Sequence, residues 1–316
     1  MNNKFKKFGL ATVILLAASS QAVAETNEAH FVNSASNLTS TASAVEGVGA
    51  KFNYASFGET SANNLVANAA YDFSDEIQVG AIGGYQSFST KDAKKSGSTN
   101  YFGGVFANAK FDNVVANAGV SYAMGTFSND DAALTAAKDA KTLKVSTSLS
   151  TIAAQASAGY NFEVANSLNV APGALVRYTK FSGTAGDFAK DAEFQALNED
   201  QQAAFNSAAM VGESSLAQVG PSVTLSYSVA EKANVSLSAA ALYDLSKTEG
   251  LFVAKNAAKD ATFMDAMSFE GNLSATFNAT DEFALSANAG VQYRPNLKAD
   301  SKTAINIGGM ASFDLI

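Results

Sequence analysis

The residues able to carry acid–base, nucleophilic or metal chemistry are few in this chain. One histidine, His30, and no cysteine occur among 316 residues. Thiolate nucleophiles, disulfides and cysteine-held zinc are therefore excluded. His30 lies near the N-terminus, outside any patterned segment, and reads as a solvated tail residue rather than as a general base. The acidic stretch 187–200 lacks the Asp-x-Asp-x-Asp-Gly spacing of a calcium loop. Glycine pairs at 83–84, 103–104 and 308–309 sit inside alternating segments, not ahead of a helix. They read as relief of crowding or as curvature, not as phosphate cradles. No catalytic residue, metal ligand or cofactor is expected, so the chain is not read as an enzyme. Its net charge of −8 argues against a nucleic-acid surface.

Two sets of charges remain. Lys51, Lys110, Arg177, Glu270 and Arg294 fall on polar positions of alternating segments. They are expected to face a water-filled interior, where simple solvation of a polar wall accounts for them. Lys91, Lys138, Lys190 and Lys259 each open a Lys-Asp-Ala triplet, and all four triplets fall in long connections. They are expected on an extracellular rim. Solvated helical composition explains the triplets blandly; contact with lipopolysaccharide phosphates explains them more sharply.

The elements that must hold these charges alternate with a period of two. Leu65, Ala67, Ala69, Tyr71 and Phe73 are interleaved with Val66, Asn68, Ala70 and Asp72. Phe283, Leu285, Ala287, Ala289, Val291 and Tyr293 are interleaved with Ser286, Asn288, Gly290 and Gln292. Twelve such segments are expected, near 45–57, 65–73, 76–88, 99–112, 113–127, 145–162, 166–181, 214–229, 235–245, 266–278, 283–293 and 303–316. Most reach the length a tilted strand needs to cross a bilayer. Aromatics gather at both ends of the apolar face, with Tyr71, Phe111 and Tyr227 at one end and Tyr54, Tyr101 and Tyr293 at the other. A soluble sandwich also alternates, but it would not bury a face of Asn, Ser, Gln and Thr. Charged residues make up 16%, against roughly 25% in soluble domains. The expected fold is all-β: a 12-stranded antiparallel transmembrane β-barrel.

Connections alternate between short and long, which puts both ends of the barrel on the short-turn side. Short turns face the periplasm in bacterial outer-membrane barrels. The longer, extracellular connections 130–141, 187–210 and 253–267 carry helical patterning, the second anchored by Phe188, Phe194, Leu197 and Phe205. Upstream of the barrel, Lys4, Lys6 and Lys7 precede an apolar stretch and an Ala22-Val23-Ala24 cleavage pattern. Residues 1–24 are therefore expected to be a signal peptide, 25–44 a short polar segment able to plug the lumen, and 45–316 the barrel.

Several strand motifs resemble the translocator (β-) domain of autotransporters. They are Tyr101-Phe102-Gly103-Gly104, Ala118-Gly119-Val120-Ser121-Tyr122, Ala158-Gly159-Tyr160-Asn161-Phe162 and the strand opening Leu168-Asn169-Val170-Ala171-Pro172. The resemblance covers roughly residues 45–316. It implies an outer-membrane location, contact with membrane lipid and lipopolysaccharide, insertion by the outer-membrane barrel assembly machinery, and a segment upstream of the first strand held in the lumen. Two features depart from the pattern: only residues 25–44 stand where a passenger would, and the chain ends Phe313-Asp314-Leu315-Ile316 rather than in an aromatic residue. The expected role is a narrow passive channel or a structural surface protein without a passenger. A solute-specific porin and an adhesin acting through its extracellular loops are the alternatives.

Overall fold

The computed structural model describes residues 47–57, 60–90, 96–134, 141–196, 211–229, 232–247, 267–293 and 303–314, with Glu199, Gln202 and Asn206. The expected signal peptide and polar segment, with His30, therefore lie outside the described residues. So do Arg294, Lys91, Lys138 and Lys259, and with them helical patterning over 253–266 and the anchors Leu197 and Phe205.

The alternating segments become β1 (Gly47–Phe57), β2 (Thr60–Asp72), β3 (Ile77–Thr90), β4 (Ser96–Phe111), β5 (Val114–Leu134), β6 (Lys141–Tyr160), β7 (Phe162–Ala165), β8 (Leu168–Ala185), β9 (Gly212–Val229), β10 (Ala233–Lys247), β11 (Met267–Asn278), β12 (Phe283–Tyr293) and β13 (Thr303–Phe313). Each pairs antiparallel with its chain neighbour. β6 and β7 form one stave interrupted at Asn161, because both pair with β8. That leaves twelve staves. β1 closes on β13, from Val48↔Phe313 to Phe57↔Ala304. Closure removes both sheet edges, so every stave finds backbone partners on two sides, as a bilayer core requires.

The two faces differ as the alternation requires. Leu65, Tyr101, Leu237 and Ile307 point outward and are about half exposed, while Asn64, Asn100, Ser236 and Asn306 point inward and are buried. Exposed aromatics line both ends of the outer face: Tyr71, Phe73, Phe111, Tyr160 and Phe277 on the short-turn side, Tyr54, Tyr101, Tyr122 and Tyr293 on the other. Such girdles place aromatic rings at the two membrane–water interfaces.

The inner face is less uniformly polar than the sequence pattern suggests. Val66, Ala70, Ile82, Phe102, Phe106 and Ala123 form an apolar cluster on the inner wall of β2–β5. Two of its rings lie over glycines of the next strand. Phe102 pairs with Gly84 and Phe106 with Gly80, and a Cβ at either glycine would come within 2.5 Å or less of ring carbon. The glycine pairs thus divide by face: Gly84, Gly104 and Gly308 point inward where a Cβ would collide, while Gly83, Gly103 and Gly309 point outward with only ordinary contacts.

Two expectations about the outer connections are corrected. Helical patterning over 130–141 gives way to strand as far as Leu134, where Ala132↔Leu143, Ala133↔Thr142 and Leu134↔Lys141 extend the hairpin past a register shift after Asn129. Pairing across the hairpin satisfies the backbone there and overrides a weak helical propensity. The connection between the segments expected at 45–57 and 65–73 is a tight one rather than a long one, because Phe57 pairs with Thr60. After β8, one turn of 3₁₀ helix (Asp187–Lys190) leads into a single-turn helix, α1 (Ala192–Gln195). Gly186 N–H donates to Ser146 C=O at 2.9 Å. Phe188 and Phe194 are buried against each other edge to face, with centroids 5.5 Å apart.

Candidate functional site: the polar lumen

Because strand partners face the same way, inward side chains fall into rows that climb around the wall. One row runs through β6, β8, β9 and β10 as Gln155, Arg177, Gln218 and Asp244. Arg177 does not stop at its strand neighbour. It passes two staves to Glu270 on β11, with Nη1 donating to Oε1 at 3.0 Å and Nη2 to Oε2 at 3.1 Å. Gln292 Nε2 donates to Glu270 Oε1 at 2.7 Å. Gln218 accepts from Arg177 at 3.5 Å and donates to Asp244 Oδ1 at 2.9 Å. The side chains of the pair are 2% and 3% exposed. A bidentate fork is the geometry that compensates such burial best. Two of the expected lumen charges are thereby brought together and cancel.

A second row is made of amides. Asn53 on β1, Asn64 on β2, Gln86 on β3 and Asn100 on β4 are consecutive register partners. All four are buried, and Asn53 Oδ1, Asn64 Oδ1, Gln86 Nε2 and both polar atoms of Asn100 have no hydrogen-bond partner among the described residues. Glycines bracket the row. A Cβ at Gly308 would lie 2.7 Å from Asn53 Oδ1, and one at Gly125 would collide with Asn100 Oδ1. The row is readable from strand parity, but only once the register is known does it become a contiguous band.

The remaining expected residues separate. Lys51 points inward midway along β1. Lys110 points inward at the short-turn end of β4, where its N–H donates to Glu76 C=O at 2.8 Å. Lys190 lies on the outer side in the 3₁₀ turn, its exposed ammonium 3.3 Å from Asp187 Oδ1. Gln218, Asp244 and Gln292 also belong to the charged network. Their polar inward positions were visible in the sequence, but the chord that unites them was not.

The comparisons decide the family. The model of the autotransporter beta-domain matches residues 43–290. The chain belongs to the autotransporter β-domain family. Its match ends within β12, while β13 supplies the stave that closes the barrel. The fold is similar to the translocator domain of the autotransporter NalP from Neisseria meningitidis, with TM-score 0.53 and 12% identity over 91% of this chain and 95% of that one. It is also similar to the beta domain of the Bordetella autotransporter BrkA, with TM-score 0.51 and 11% identity over 84% and 98%. No curated protein matches the sequence. This autotransporter β-domain is thus a bacterial outer-membrane barrel of translocator type, and its aromatic girdles and polar inner wall are the physical marks of that location.

Proposed function

We propose that the barrel is a narrow passive channel whose lumen is occupied and narrowed by residues 25–44, after a signal peptide spanning 1–24. The carrying observation is the amide band: buried Asn and Gln atoms on one side of the wall with no partner among the described residues. An unsatisfied buried amide costs on the order of 1–3 kcal/mol, so the band needs water or a hydrogen-bonding occupant. Residues 25–44 are rich in Ser, Thr and Asn and offer backbone donors and acceptors. The segment immediately precedes β1, so its tether keeps it near the inner mouth. Twenty such residues cannot bury enough apolar surface to fold alone. On the outside, exposed Lys190, with Lys91, Lys138 and Lys259, would meet lipopolysaccharide phosphates.

Deleting Thr26–Ser43 while keeping the signal peptide tests the reading. Single-channel conductance in planar bilayers and influx of small antibiotics should both rise. Unchanged conductance in a correctly assembled barrel would remove the segment from the lumen.

A further inference from the structure

The inward charges of this barrel are distributed unevenly along its axis. Near the outer end, Arg177 and Glu270 neutralise each other and Asp244 is held by Gln218. At the short-turn end, Asp72 accepts from Gln78 Nε2 at 3.0 Å, and Lys110 stands at the same mouth. Lys51 lies between these levels, fifth of the eleven residues of β1. No hydrogen bond or ion pair among the described residues holds it.

The inward neighbours of Lys51 carry no charge: two are apolar, and the rest are amides, a hydroxyl and glycines overlain by amide side chains. Its strand partners are Val66 on β2 and Met310 on β13. The inward positions diagonal to it are Asn64, Asn68, Gly308 and Ser312, and Asn53 follows on its own strand. Diagonal neighbours of this kind lie within side-chain reach. Asn68 leans over Gly49, where a Cβ would be 2.7 Å from its Oδ1. Both polar atoms of Asn68 and the Ser312 hydroxyl are buried, at 5% and 2% exposure, and have no hydrogen-bond partner among the described residues. Asn68 and Ser312 are the two register partners of Gly49, so an amide and a hydroxyl face inward on either side of it, two residues before the Lys51 ammonium. Asn53 Oδ1 and Asn64 Oδ1, on neighbouring inward positions, have no hydrogen-bond partner among the described residues.

We propose that Lys51, Asn68 and Ser312 form a subsite for a small anion, such as a carboxylate or halide, at mid-depth in the lumen, and that this subsite makes the channel prefer anions. The proposal rests on the channel reading for its transport consequence alone. A lone positive charge between low-dielectric walls focuses its field along the pore, and an anion bound there gains charge-assisted hydrogen bonds.

Reversal potentials across planar bilayers in a potassium chloride gradient, measured on the full chain and on the chain lacking residues 26–43, test the preference. Chloride permeability should exceed potassium permeability several-fold. Lys51→Gln should bring the ratio to about one, as loss of a single nearby charge predicts, and Lys51→Arg should retain it. A cation preference, or a ratio unmoved by Lys51→Gln in an assembled barrel, overturns the proposal. If neither chain conducts, the channel reading fails, and the subsite is then decided in detergent. Acetate titrated against gluconate at constant ionic strength should slow reductive methylation of Lys51 by about twofold when acetate equals its dissociation constant, and leave Lys232, on an exposed turn, unaffected. Absence of protection, or a Lys51 that the reagent never reaches, overturns the subsite whatever the conductance.

Discussion

Arg177 and Glu270 show how much of a lumen is decided by single side chains. Each alone would be a buried charge with several kcal/mol of desolvation to offset. Together they form a fork closed further by Gln292 and Gln218. Breaking the pair from one side leaves the other ion stranded. Glu270→Gln should therefore destabilise the barrel by about 3–5 kcal/mol, read as an earlier urea midpoint in detergent micelles. Arg177→Met combined with Glu270→Gln should recover much of that loss. A double variant as unstable as the sum of the two singles would mean that the fork contributes nothing as a pair. Both residues were recognisable in the sequence as inward charges, because parity assigns the face. Their union was not, because they are 93 positions apart and separated by two staves. Nothing in the strand periodicity encodes a chord across the wall. The same limit hid the amide band, whose members are ordinary polar alternates until register aligns them.

At the level of the element, each glycine pair carries a division of labour. Gly84 must stay small because Phe102 lies across it, and an added Cβ would also collide with Leu65 C=O. Gly83 faces outward and has only Phe102 C=O at 3.6 Å. Gly84→Ala should thus cost roughly 1–3 kcal/mol, as overpacking does, while Gly83→Ala should stay within about 0.5 kcal/mol. Heat-modifiable gel migration and urea unfolding of the two variants would check this. Equal costs would show that curvature, not ring packing, selects these glycines. Strands were legible wherever one face meets lipid, since the hydrophobic contrast between faces is then large. Their outer ends were not. The runs Thr60-Ser61-Ala62 and Asp130 to Leu134 carry no apolar–polar alternation in sequence, yet strand pairing continues through them. That is why Asn129 to Leu134 resembled a helix by composition and folded as a hairpin arm.

For the molecule as a whole, closure and parity fix a direction. Twelve staves joined in sequence must return the chain to the end at which it entered. Gly47 pairs with Ala70 near the inner end of β2, and Phe313 pairs with Phe283 at the start of β12. Both chain ends of the barrel therefore lie beside the turns at 73–76, 112–113, 166–167 and 279–282. The opposite rim carries the long excursion after β8, with its buried Phe188–Phe194 contact and exposed Lys190. In outer-membrane barrels the short turns face the periplasm and the long loops face outside. Parity puts the start of β1 on that same side, so residues 25–44, as the proposed plug, would enter the lumen from the periplasm. A protease site inserted beside Lys190 should be cut on intact cells. One inserted at Asp281, an exposed turn residue on the opposite rim, should be protected until the outer membrane is permeabilised. Cleavage at Asp281 on intact cells with protection at Lys190 would invert the barrel. The N-terminal segment would then lie outside the cell, and its proposed place in the lumen would lose its periplasmic route.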